Sequence, residues 1–324
     1  MWEKEIFKIK TEKDFEHLAL KIFHYQYKNV EVYQRFCDLL KTDISEVKSI
    51  ENIPFLPIQF FKSHKIIARE KGEAAVFTSS GTTGSTPSKH FVADLNLYET
   101  SFLKAFEKQY GHPSNFCILA LLPSYLEREG SSLIYMVESL IEKSNHPNSG
   151  FYLSEMDTLA EKLQLLEESG QKTILIGVSF ALLDLVEKRK FHLKNTIVME
   201  TGGMKGRRKE MIKEELHQLL KKGFGVEEIH SEYGMTELLS QSYSSGHGLF
   251  TCPPWMKVLM RDDADALSYV PNKSGGINVI DLANLYSCAF IATQDLGKMK
   301  GENTFEVLGR FDASDVRGCN LMVI

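Results

Sequence analysis

Cysteine is scarce in this 324-residue chain. The five present, Cys37, Cys117, Cys252, Cys288 and Cys319, are odd in number and form no CxxC pair. That excludes a disulfide framework and points to reduced thiols, as in a cytosol. No Cys/His cluster has zinc spacing. No apolar run reaches spanning length, and the opening Met-Trp-Glu-Lys-Glu lacks the apolar core of a signal peptide, so no membrane insertion is expected. Neither sign of charge dominates. A net charge of −5 offers no chain-wide attraction to nucleic acid or an anionic membrane. Internal repeats and low-complexity segments are also missing. What remains, 43% hydrophobic and 25% charged, is the composition of a soluble globular enzyme with one large or two domains.

The first sixty residues read as helical. Phe15, Leu18, Ala19, Ile22 and Phe23 recur at helix spacing behind Thr11, an N-cap with Asp14 three residues on. Val32, Tyr33, Phe36, Leu39 and Leu40 repeat the pattern until Pro54 and Pro57 break it. The aromatics around Phe55, Phe60 and Phe61 read as core. From residue 74 strands and helices alternate, with candidate strands at 74–78, 116–122, 173–178, 196–200 and 226–231. Helical patterns lie between them, one ending at Gly111 and another, spanning 206–221, ending at Gly223. Such alternation predicts an α/β fold with a largely parallel sheet covered on both faces. After residue 255 the texture changes to short strands at 256–260, 277–282, 288–293 and 304–308, with Lys273-Ser-Gly-Gly as a turn. The expected domains are an α/β core over 1–254 and a small β subdomain over 255–324, closely docked because no linker separates them.

The most informative stretch is 77–90, Phe-Thr-Ser-Ser-Gly-Thr-Thr-Gly-Ser-Thr-Pro-Ser-Lys-His. Gly81 and Gly84 let consecutive backbone N–H groups point into one concavity, a nest suited to phosphate oxygens. Hydroxyls add donors and Lys89 adds a movable charge. It is not a Walker A loop, and a plain Ser/Thr/Gly loop has the same composition. Next comes Tyr233-Gly234-Met235-Thr236-Glu237, after a strand, where a parallel sheet places its ligands. Tyr233 offers a flat face to a base and Glu237 a hard oxygen to Mg²⁺, or the segment is a capped turn. Asp295, at a strand end, suits ribose hydroxyls, and Arg310 stands beside Asp312 after another strand.

Together these four segments resemble the adenylate-forming superfamily of acyl-CoA synthetases, adenylation domains and luciferases. Residues 78–89 are similar to its phosphate loop, with one extra residue in 85–88. Tyr233-Gly-Met-Thr-Glu matches its Tyr-Gly-x-Thr-Glu motif, and Gly309-Arg-Phe-Asp its hinge motif. Residues 53–57 with Phe61-Lys62, 200–207 and 315–319 carry a closer likeness to LuxE-type acyl-protein synthetases. The resemblance spans almost the whole chain. It implies that Thr78, Ser79, Ser80, Gly81, Thr82, Thr83, Gly84 and Lys89 hold the triphosphate of ATP. Gly202, Gly203, Tyr233 and Gly234 would lie at adenine. Thr236 and Glu237 would serve phosphate and Mg²⁺, with Lys89 and Glu237 catalytic. Asp295 would take the ribose, and Arg310 the ribose or phosphates. The superfamily's mobile C-terminal lid domain is expected to be absent, since only twelve of the 324 residues follow Asp312.

The implied chemistry is ATP-dependent conversion of a carboxylic acid, expected to be a fatty acid, to an acyl adenylate. Transfer to a thiol follows, and in the resembling family a C-terminal cysteine, here Cys319, accepts the acyl group for delivery to an acyl reductase. Cys319 is alternatively a small buried residue. Coenzyme A or a carrier protein are the other acceptors, and a non-catalytic nucleotide-binding partner is a further reading. A rival from another class is an acyl hydrolase with Ser179 in Gly177-Val-Ser-Phe-Ala as nucleophile and His217, His230 or His247 downstream. That turn otherwise walls the acyl pocket, for which Phe180, Tyr125 and Leu126 are candidates. Lys205-Gly-Arg-Arg-Lys reads as a solvated first helical turn or a phosphate attractor. His90 reads as a phosphate contact or a surface residue.

Overall fold

The computed structural model of the protein describes residues 2–79, 86–123, 130–153, 155–202, 208, 211–271 and 273–311. Its elements, in chain order, are α1 (Trp2–Ile6), α2 (Glu12–Asn29), α3 (Glu31–Leu39), β1 (Leu56–Pro57), α4 (Phe60–Ser63), β2 (Ala75–Thr78) and β3 (Lys89–Val92). Then follow α5 (Leu95–Tyr110), β4 (Cys117–Leu121), α6 (Ser132–Ser144), β5 (Gly150–Phe151), α7 (Met156–Glu168), β6 (Thr173–Val178) and α8 (Ser179–Lys188). The last are β7 (Thr196–Thr201), α9 (Lys213–Phe224), β8 (His230–Tyr233), β9 (Ser242–Ser244), β10 (Leu249–Thr251), β11 (Met256–Arg261), β12 (Ser274–Asp281), β13 (Phe290–Met299) and β14 (Thr304–Arg310).

α2 starts at the expected capping box. The Thr11 hydroxyl accepts from the Asp14 amide at 3.1 Å, and the Asp14 carboxylate accepts from the Thr11 amide at 2.9 Å. Its apolar stripe, from Phe15 to Phe23, is buried, and one polar residue lies on the same face. Gln26 is fully buried, donating to the carbonyls of Asn284 and Leu285 and accepting from the Ala289 amide. The proline-broken segment then runs as β1, parallel to β13 at Leu56↔Ile291. The aromatics around it are core, as expected: Tyr33 stacks on Phe290 and Phe55 meets Phe290 edge-on.

A large mixed sheet runs in the order β11-β12-β13-β14-β10-β9-β8-β7-β6-β4-β5, and β2 and β3 form a separate hairpin. The parallel part, β5-β4-β6-β7-β8, is what the alternation predicts. β4 and β6 are buried at every residue because helices cover both faces. The antiparallel part continues the same sheet through β8–β9, β9–β10 and β10–β14. Among the described residues no helix is long and apolar enough to cross a membrane.

Three local expectations are corrected. Gly223 does not end its helix; α9 runs from Lys213 to Phe224, and Gly225 caps it at φ +67°. Gly223 is a packing glycine, since a Cβ there would stand 2.4 Å from Val186 Cβ on α8. Gly275 and Gly276 are not a turn but lie inside β12. A side chain at Gly275 would meet the Arg261 carbonyl at 2.1 Å, and one at Gly276 its guanidinium at 2.4 Å. The strand expected at 226–231 lies at His230–Tyr233, where the end of β7 provides its parallel partner.

Candidate functional site

β2 and β3 pair so that Thr78 faces Lys89. Below the loop they carry, the Ser79 amide donates to the Ser88 carbonyl at 3.0 Å, and the Ser88 amide to the Ser79 hydroxyl at 2.8 Å. Gly130, at φ +84°, accepts from the Thr78 amide through its carbonyl at 2.7 Å. A Cβ there would stand 3.2 Å from the Thr78 hydroxyl, so glycine lets the chain lie against β2. Lys89 is exposed. Ser80, Gly81, Thr82, Thr83 and Gly84 lie outside the described residues, as do Tyr125, Leu126, Gly203 and Cys319 and all but Arg208 of the basic run.

The 233–237 turn is brought against this hairpin. Glu237 is 6% exposed, with the Ser88 side chain beside its carboxyl. Burial pushes that carboxyl up, with Ser88, Arg310 and Lys62 working against the shift. His90, one residue past Lys89, is fully buried rather than at the surface. Its Nδ1 lies 2.9 Å from the Thr236 carbonyl, its Nε2 2.9 Å from the Ser287 hydroxyl, and its ring edge-on to Phe61. Burial pushes the imidazole down to about 4, against the hydrogen bond to Thr236, so it is neutral at working pH.

Two further buried side chains hold the turn from behind. Asn284 donates to the Glu237 carbonyl at 2.8 Å. Asp281 accepts from the amides of Leu239 and Ser240 at 2.8 and 2.9 Å and from the Ser240 hydroxyl at 2.6 Å. Ser88, Asp281 and Asn284 are absent from the sequence-based site, and His90 stands there only as a phosphate contact or a surface residue, not as a buried link. Their partners lie far along the chain, 146 and 197 residues away for His90, so no local pattern marks them.

Tyr233 crosses to the next segment. Its hydroxyl donates to Asp295 at 2.9 Å, and its ring lies edge-on to Phe305 and tilted against Phe250. Arg310 Nε donates to the other Asp295 oxygen at 3.1 Å, with its side chain largely exposed. Gly202, at φ +68°, ends β7 and accepts the Ser179 hydroxyl through its carbonyl at 3.0 Å. Gly234 lies against Glu232, whose Oε1 would stand 2.4 Å from a Cβ there.

Ser179 does occupy a strand-to-helix turn, but it is 1% exposed and donates to Glu200 at 3.2 Å as well as to Gly202. His217 reaches Glu200 and Ser231, each at 3.5 Å. A carboxylate therefore stands where a hydrolase needs its histidine, and the hydroxyl is occupied as a donor. Phe180 is buried.

For a nucleotide and a metal the donor set is suitable: hydroxyls, a lysine and one carboxylate, Glu237, at the mouth of a hairpin. Among the described residues no group of three His, Cys, Asp or Glu side chains could hold a metal alone. A magnesium ion here would draw on phosphate oxygens and water for the rest of its shell.

No curated protein matches the chain by sequence. Solved structures do match by fold. ATP-bound MatB from Rhodopseudomonas palustris is 16% identical with a TM-score of 0.56, over 74% of this chain and 48% of that one. A 2-hydroxyisobutyryl-CoA ligase in the postadenylation state is 12% identical with a TM-score of 0.65, over 93% and 68%. O-succinylbenzoate coenzyme A synthetase (MenE) from Bacillus subtilis, with ATP and a magnesium ion, is 19% identical with a TM-score of 0.51, over 74% and 50%. The chain thus spans about half the length of MatB and MenE. At such identities the likeness is one of fold alone. The family model described as acyl-protein synthetase, LuxE, matches residues 5–324. With that match running through nearly every residue, on this fold, the chain belongs to the LuxE family of acyl-protein synthetases.

Proposed function

We propose that the protein is an acid–thiol ligase, which activates a carboxylic acid, in our reading a fatty acid, with ATP and passes the acyl group to a thiol. The observation that carries this reading is the meeting of four distant segments: Ser88 with Glu237, His90 with Thr236, and Tyr233 with Asp295 and Arg310.

In the first step a carboxylate oxygen attacks the α-phosphorus of ATP, the bond to the bridging oxygen breaks and pyrophosphate leaves. The acid is its own nucleophile, so the protein supplies charge neutralisation and alignment rather than a base. Residues 78–84 with Lys89 would hold the triphosphate. Gly202, Gly203, Tyr233 and Gly234 would lie at adenine, and Asp295 and Arg310 at the ribose or phosphates. Thr236 would contact phosphate and Glu237 would hold Mg²⁺. When bound, that ion neutralises charge on the departing pyrophosphate. In the second step a thiolate attacks the acyl carbon, the bond to the AMP oxygen breaks and AMP leaves. Cys319 is the thiol we propose, with Arg317 nearby in sequence to favour its ionised form, and an acyl reductase the final recipient.

Pyrophosphate exchange across straight-chain, branched and aromatic acids tests the first step. Exchange that depends on a long-chain acid and falls about 100-fold in Glu237→Gln is the expected result; no exchange with any acid defeats it. Labelled fatty acid with ATP tests the second. Hydroxylamine-labile label should be lost in Cys319→Ser, and label that persists moves the acceptor to coenzyme A or a carrier protein, detected as AMP release that requires that thiol.

A further inference from the structure

His90 is an unusual residue to bury. An apolar side chain would fill the space beside Phe61 at lower desolvation cost, so the ring nitrogens must be used. Both are. The Thr236 carbonyl can only accept, which assigns the proton to Nδ1 and leaves Nε2 to accept from the Ser287 hydroxyl. The imidazole is thus a rigid link between three elements: β3, which leaves the 78–89 loop; the 233–237 turn; and the segment between β12 and β13. Its neighbour two residues back, Ser88, lies beside the Glu237 carboxyl. Ser88, just before β3, and His90 within it therefore meet two successive residues of the turn, Glu237 and Thr236.

We propose that His90 is a positioning residue of the adenylation step, fixing Thr236 and Glu237 at a set distance from Ser79 and Lys89, the opposing phosphate ligands of the β2–β3 hairpin. This rests on the function proposed above. Groups that act on one triphosphate from two separate segments are useful only at a fixed separation, and small misplacements cost large factors in rate.

The test is acid-dependent pyrophosphate exchange in the full chain, with unfolding by urea measured on the same samples. His90→Phe keeps the ring volume and removes both hydrogen bonds. It should lower kcat about tenfold to a hundredfold and raise KM for Mg·ATP, leaving KM for the acid unchanged. His90→Asn, whose amide nitrogen stands where Nδ1 does, should recover most of that loss. Should His90→Phe not fold, Ser287→Ala is the measurement, with about a threefold loss in kcat expected. A lower unfolding midpoint with kcat and KM for Mg·ATP unchanged per folded molecule would make His90 a structural staple and overturn the proposal. Absence of exchange in the wild type overturns the function reading as well, so the two failures are distinct.

Discussion

Two glutamates stand at the carboxyl ends of adjacent parallel strands, and their chemistry runs in opposite directions. Glu200 on β7 pairs in register with Ser231 on β8, and Thr201 with Glu232, so the two carboxyls leave opposite faces of the sheet. Burial works against ionisation of Glu200, yet Lys213, His217 and Ser231 together hold it down at about 2. Lys213 Nζ lies 3.0 Å away and the Ser231 hydroxyl 2.6 Å away. Lys213 and His217, one turn apart at the start of α9, both face it. Glu232 has one strong donor, the Thr201 hydroxyl at 2.6 Å. Burial, helped by repulsion from Glu200, pushes it up to about 7. Enclosure alone does not decide whether a carboxyl is charged; the number and sign of its partners do.

The largest disturbance of this contrast should come from Lys213→Met, which leaves Glu200 enclosed without its cation. A loss of about 3 kcal/mol in urea unfolding at neutral pH is expected, and a variant as stable as the wild type would show that His217 suffices. Ser231→Ala removes one donor to the same charge and should cost about 2 kcal/mol. The smallest effect should be a gain. Because the folded-state value of Glu232 lies above its ordinary 4.5, the unfolded chain ionises first and stability falls between about pH 4.5 and 7. Glu232→Gln should therefore raise stability at pH 8 and leave it unchanged at pH 4, which unfolding midpoints at the two pH values would check. Glu200 has the opposite sign: its stabilisation is complete above pH 4.5 and lost as pH falls toward about 2. Glu200→Gln should flatten that acid limb, which unfolding midpoints from pH 5 to 2.5 would reveal.

Much of the architecture was legible because it is written locally. The unbroken apolar run at 173–178 is β6 to the residue, and Thr11 with Asp14 starts α2 where the capping rule puts it. Glycines misled where their purpose is tertiary. Gly223 makes room for Val186, and Gly275 and Gly276 for Arg261, neighbours that no window around the glycine contains. The same holds at the candidate site. Tyr233, Glu237, Asp295 and Arg310 could be picked out because their types and order form a motif. His90 and Asp281 could not, because what distinguishes them is being buried with distant backbone groups, and an isolated histidine or aspartate carries no trace of that.

The pairing of β1 with β13, reinforced by Gln26 reaching residues 284 to 289, has a consequence for biosynthesis. α2 and α3 can meet early, through Phe23 and Tyr33, but the Phe290 face that both also cover is made only with β13. Until then part of the apolar stripe of α2 lacks its cover, a stretch for which a chaperone would compete. Closure across more than two hundred intervening residues is also entropically slow. A nascent chain stalled before β13 would thus lack both the Phe290 side of that cover and Asp295.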